Sequence, residues 1–237
     1  MFLPGLGELV AQWVVAAASR GDDERAVKRA HRYTRLRPGD REGWRLLCRT
    51  LNKATRFAEL ADVARKGLHR HGVDPWLDYY LGLALEGQVL QGTEPSELPT
   101  THFHRLKRRE PSSPLPYLGL ALVALHRGDH LESARLARQA EDRGASRDPN
   151  LIMTLISVAI SIPELRVWAE QLIVDAEMMQ PRDWLVHLMA GVACERADPG
   201  GARMRIEKAR RLWRGKAAQF DKDLTFWRQH LNPMTQK

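Results

Sequence analysis

Cysteine is scarce in this chain: Cys48 and Cys194 are the two in 237 residues. They stand far apart and in no paired spacing, so there is no disulfide framework and no metal knuckle, and a reducing, cytoplasmic setting is expected. Long apolar runs are missing too. The stretch from Leu9 to Ser19 is uncharged and eleven residues long, but the first basic residue, Arg20, follows it. Without a positive leader segment it reads as a first helix rather than an export signal. Pro149 to Pro163, at 15 residues and with Asn, Thr and Ser inside, falls short of the roughly 18 apolar residues a membrane span needs. No phosphate-binding glycine loop, nucleophile elbow or His-Glu-x-x-His pair is present, so the sequence points to a non-enzymatic protein without a cofactor. Strand-like alternation of useful length is also lacking, which leaves an all-α reading.

Acidic residues are outnumbered, 29 Asp and Glu against 37 Lys and Arg, and the imbalance is local. Residues 1–70 hold 15 basic and 8 acidic residues, so the first third carries most of the excess.

What the chain does have is repetition. Tyr80-Leu81-Gly82-Leu83-Ala84-Leu85 recurs letter for letter as Tyr117-Leu118-Gly119-Leu120-Ala121-Leu122, 37 residues on. A fixed period of this size marks stacked helical units. Apolar residues return at helical spacing along the chain, as in Trp13, Val14 and Ala17, or Leu60, Ala61, Ala64 and Leu68. Breakers punctuate them: Gly21-Asp22-Asp23, Pro38-Gly39-Asp40, Gly72 with Pro75, Gly128-Asp129, Pro181, and Asp198-Pro199-Gly200-Gly201. The pattern predicts about six helix pairs in one domain over 1–237. An insertion falls at about 86–100, and a capping helix at about 217–231 carries Phe220, Leu224, Trp227 and Leu231.

Trp44, Leu47 and Cys48 in an opening helix, Tyr117, Leu120 and Ala121 in another, and the returning series Ser133, Ala137, Ala140 and Ala169, Ile173, Ala176 with Pro181 resemble the tetratricopeptide repeat (TPR) family. The copies are degenerate, and Thr55 stands where the turn between helices usually has glycine. The resemblance implies a right-handed superhelical solenoid whose opening helices line a concave groove that holds a segment of a partner protein.

Within that frame Arg45, Arg49, Asn52 and Lys53 share one face of the third helix, opposite Trp44, Leu47, Cys48 and Leu51. Three cations and an amide there would grip carboxylates. Leu81, Leu85, Leu118 and Leu122 are expected at the corresponding inward positions further along, to meet an apolar stripe of the partner. The histidine pairs at 69/71, 102/104 and 126/130 lack the converging ligands of a metal site. The expected function is therefore an adaptor or co-chaperone-like scaffold for an acidic or amphipathic protein segment. An alternative of another class is a nucleic-acid-associated regulator using the basic first third and the run Arg105-Leu106-Lys107-Arg108-Arg109. Self-association through the terminal repeats is a third.

Overall fold

The computed structural model describes residues 6–195 and 197–231, and among them the secondary structure is helical throughout. Six hairpins follow in order: α1 (Leu6–Ala18) with α2 (Asp23–Leu36), α3 (Arg41–Lys53) with α4 (Phe57–His71), α5 (Pro75–Leu90) with α6 (Pro99–Arg109), α7 (Leu115–His126) with α8 (His130–Glu141), α9 (Ile152–Ile160) with α10 (Arg166–Met179), and α11 (Trp184–Cys194) with α12 (Pro199–Leu212). A last helix, α13 (Ala217–Leu231), packs on α11. The side chains of Leu9, at the start of the first uncharged run, and of Leu231, in the expected capping helix, lie outside the described residues, as do residues 1–5 and 232–237 of the expected domain.

Local chemistry sets the boundaries. Asp22, Asp40, Asp74, Asp129, Asp183 and Asp198 each cap a helix, accepting a backbone N–H from its first turn. In the first and fourth hairpins the chain turns through a left-handed glycine, Gly21 at φ 73° and Gly128 at φ 79°. The next amide reaches back to the last helical turn, Asp22 N to Ala17 O at 3.0 Å and Asp129 N to Ala124 O at 2.9 Å. Thr55 occupies the same place at φ 53°, with Arg56 N bonded to Leu51 O at 3.0 Å. The turn geometry is thus kept where the glycine is missing.

Odd-numbered helices from α1 to α9 stack side by side, and each returning helix packs outside its partner. The repeated hexapeptide lies at the centre of this stack. Its glycines, Gly82 on α5 and Gly119 on α7, both rest on the ring of Phe103 from α6. A Cβ at Gly82 would lie 2.6 Å from that ring, and one at Gly119 closer still. One buried aromatic ring therefore fills the space between two copies of the same sequence, which explains glycine inside two helices.

The insertion is shorter than the sequence indicates. Helix α5 continues to Leu90 and α6 already begins at Pro99, leaving residues 91–98 as the loop. That loop lies over α4, where the Arg65 guanidinium donates to Ser96 Oγ at 2.7 Å, and Gln91 Nε2 donates to the Thr55 carbonyl at 3.4 Å. The fifth unit also departs from a plain hairpin, with 3-10 turns at Ala145–Arg147 and Pro163–Leu165 around the short α9.

The winding brings the end of the solenoid back to its start. Trp184 N donates to Ser19 O at 3.2 Å, and Arg214 N donates to Arg20 O at 2.6 Å. Trp213 lies against Gly21, and its ring centroid is 4.3 Å from that of Trp184 and 6.1 Å from that of Phe220. The turn of the first hairpin and the last units meet in an aromatic seam.

Candidate binding groove

The stacked odd-numbered helices leave a concave groove that deepens into two adjoining cavities. The larger, about 500 Å³, lies among α1, α3, α5 and α9 and the start of α11. Its apolar lining comes from Val15, Tyr79, Tyr80, Leu83, Met153 and Met179, and Arg49, Asn52, Lys53 and Gln180 supply polar groups at the same cavity. The second, about 470 Å³, continues past Trp76 and Tyr80 toward Arg37 and Arg45. Both volumes are in the range of natural ligand sites, and a mostly apolar lining with a few convergent polar groups is their usual character.

Helix α3 does turn its polar face to this groove, and its four residues fare differently there. Arg49 and Lys53 reach across it: the Arg49 guanidinium donates to Asn150 Oδ1, and Lys53 Nζ lies 3.2 Å from Asp183 Oδ2. Asn52 lines the larger cavity. Arg45 also borders the groove but is committed elsewhere. Its guanidinium holds Asp74, the buried cap of α5, with Nη2 at 2.7 Å and Nε at 3.0 Å from Oδ2. That carboxylate is 0% exposed, so Arg45 serves the junction between units.

The four leucines correct the sequence reading. Leu81, Leu85 and Leu118 are buried in the core, Leu122 is partly buried and packed against it, and none of the four lines either cavity of the groove. The reason is register. Measured from the capping aspartates, Leu81 stands as far from Asp74 as Leu47 stands from Asp40, so it belongs to the core stripe of its helix. Arg45 and Arg49 correspond in the same count to Tyr79 and Leu83, which do line the cavity. Tyr79 and Leu83 are legible from this alignment of caps, whereas Trp76 and Tyr80 correspond to Glu42 and Leu46, outside the polar face of α3. Burial pushes the phenols of Tyr79 and Tyr80 up, so they stay protonated.

A polar cluster behind the groove absorbs several other candidates. Asp78, buried on α5, has His102 Nδ1 at 2.8 Å and receives Nε of Arg105 at 2.9 Å. Burial pushes the Asp78 carboxyl up, but the bonds from His102 and Arg105 outweigh it and hold the group below the ordinary carboxylate range. The basic run 105–109 is thereby divided: Arg105 serves this cluster, Lys107 stands over the Tyr117 ring at 5.0 Å, and Arg108 and Arg109 are exposed. His126 pairs with Glu86 at 2.8 Å. Among the described residues no group of three or more His, Cys, Asp or Glu side chains is arranged to hold a metal ion, and no helix is long and apolar enough to cross a membrane.

The fold is that of the TPR solenoid, as three solved structures show. TTC0263, a thermophilic TPR protein of Thermus thermophilus, superposes with a TM-score of 0.54 at 16% identity, over 86% of this chain and 98% of that one. Yeast Tom70 gives 0.56 at 13% identity, over 86% of this chain and 42% of its own. The anaphase-promoting complex (APC/C) hetero-tetramer Cut9–Hcn1 gives 0.54 at 11%, over 87% and 40%. The chain thus spans less than half the length of the latter two, and at these identities the likeness concerns the fold alone. No protein-family model and no curated protein matches the sequence.

Proposed function

We propose that this protein is a non-enzymatic scaffold that holds a segment of a partner protein in its concave groove. The observation that carries the reading is the larger cavity. Val15, Met153 and Met179 offer partly exposed apolar contact for side chains of the segment over the buried rings of Tyr79 and Tyr80, and Arg49, Asn52 and Lys53 beside them offer polar and charge-assisted bonds to carboxylates. An acidic group entering there competes with Asp183 for Lys53 and with Asn150 for Arg49. That Cut9 and Hcn1 form a hetero-tetramer is consistent with such a use of the fold.

The test is a pull-down from native lysate, with and without nuclease treatment, using wild type and two groove variants, Val15→Glu with Met153→Glu, and Arg49→Glu with Lys53→Glu. Arg45 is left alone because its loss would strand Asp74. Both variants change groove-lining side chains that are at least partly exposed, and circular dichroism checks that they fold. A protein retained by wild type and lost from both variants is the expected result. Retained material that vanishes with nuclease treatment, with no protein left, overturns the proposal in favour of nucleic acid.

A further inference from the structure

The seam that joins the two ends of the solenoid encloses a second concavity, of about 560 Å³, remote in character from the groove. Arg20, Arg25, Arg29 and Arg214 line it together with Trp13 and Asp22. Four guanidiniums there meet one carboxylate, and Asp22 is already engaged, capping α2 and approaching Arg25 at 3.5 Å. Among the described residues Arg20, Arg29 and Arg214 have no carboxylate partner: Arg29 donates to the Trp13 carbonyl at 3.1 Å, and the other two make no side-chain bond. The closing hydrogen bond from Arg214 N to Arg20 O, at 2.6 Å, forces two of these arginines together from opposite ends of the chain. Like charges gathered in a concavity repel one another, and an anion placed among them removes that cost. Guanidinium forks suit the paired oxygens of a phosphate in particular. At the same lip the indole of Trp13 is 58% exposed, a large apolar face left in water beside the cations.

We propose that this pocket binds the phosphate group of a small phosphorylated ligand, and that the bound phosphate ties the first hairpin to the α12–α13 turn. The ligand belongs to the class of phosphate-bearing small molecules, either free oligophosphate or a nucleotide whose ring covers Trp13. Because it bridges the two ends, it stabilises the closed superhelix as any ligand of the native state does.

Calorimetric titration of the full chain with pyrophosphate and with ADP, at fixed ionic strength made up with sodium chloride, tests this. Wild type is expected to bind pyrophosphate saturably at one site. Arg20→Gln and Arg214→Gln are expected to weaken binding tenfold or more, whereas Arg108→Gln, an exposed arginine on α6, leaves it unchanged. Circular dichroism checks that each variant is folded, and neither the Arg20 nor the Arg214 side chain has a partner to lose among the described residues. Tighter binding of ADP than of pyrophosphate, with the excess lost in Trp13→Ala, assigns a nucleotide; equal binding assigns the phosphate alone. Absence of saturable binding by wild type, or equal affinity in Arg20→Gln, Arg214→Gln and Arg108→Gln, overturns the proposal, since simple screening of a basic surface would give those results.

Discussion

Thr55 adopts the left-handed backbone that Gly21 and Gly128 supply in other turns, and a β-branched residue reaches it only against steric resistance. Replacing it with glycine is expected to stabilise the protein by about 1 kcal/mol, read as a higher urea midpoint at unchanged slope. Asp78 is a residue of the opposite kind, well satisfied and sensitive to acid. With its pKa depressed in the fold, its contribution is fully present above the unfolded value of about 3.9 and is lost as pH falls through the folded value. Stability should therefore drop below about pH 4. Glu177 adds to this limb, since burial pushes it up but His187 and Arg205 pull it below its ordinary value. Asp78→Asn is expected to cost about 2–4 kcal/mol at neutral pH and to flatten the acid limb, measured by denaturant titration from pH 3 to 7. Side-chain roles are the least legible part of the sequence. The polar face of α3 can be read from spacing, but whether Arg45 faces solvent or Asp74 depends on a contact 29 residues away.

Helices α5 and α7 show how one short sequence can specify an interface. Gly82 and Gly119 meet the same Phe103 ring, so a methyl group at either overpacks it. Gly82→Ala and Gly119→Ala should each cost about 1–3 kcal/mol despite the better helix propensity of alanine. Their effects should not add, because one displacement of Phe103 accommodates both, and Phe103→Leu should recover part of the loss in each. Thermal or urea unfolding of the single, double and rescue variants measures these terms. At this scale the sequence is largely transparent: breakers and apolar spacing place the helices to within a few residues, because capping and burial act locally. The leucines of the repeated hexapeptide mislead, because aligning the two copies with each other leaves their caps out of the comparison. Counting from Asp74 brings Leu81 into register with Leu47 and the core.

The whole molecule is shaped by a contact that no local pattern announces. Gly21, at φ 73°, lets the first turn approach Trp213 so closely that a Cβ there would overlap the indole ring. Gly21→Ala is expected to cost about 2–4 kcal/mol by combining backbone strain with a clash at the seam. Amide exchange at Trp184 and Arg214, whose N–H groups bond across the seam, should quicken in that variant, while the amides of α5 and α7 stay protected. Closure also narrows the groove, since Lys53 and Arg49 reach Asp183 and Asn150 across it. The most direct test of groove binding is photo-crosslinking in native lysate. A photoreactive residue is placed at Val15 or Met153 in the groove, or at Val167 on α10, which lies outside the groove lining and is 81% exposed. A discrete protein adduct from both groove positions and none from Val167 is the predicted result. Adducts from Val167 with none from Val15 or Met153 would contradict it.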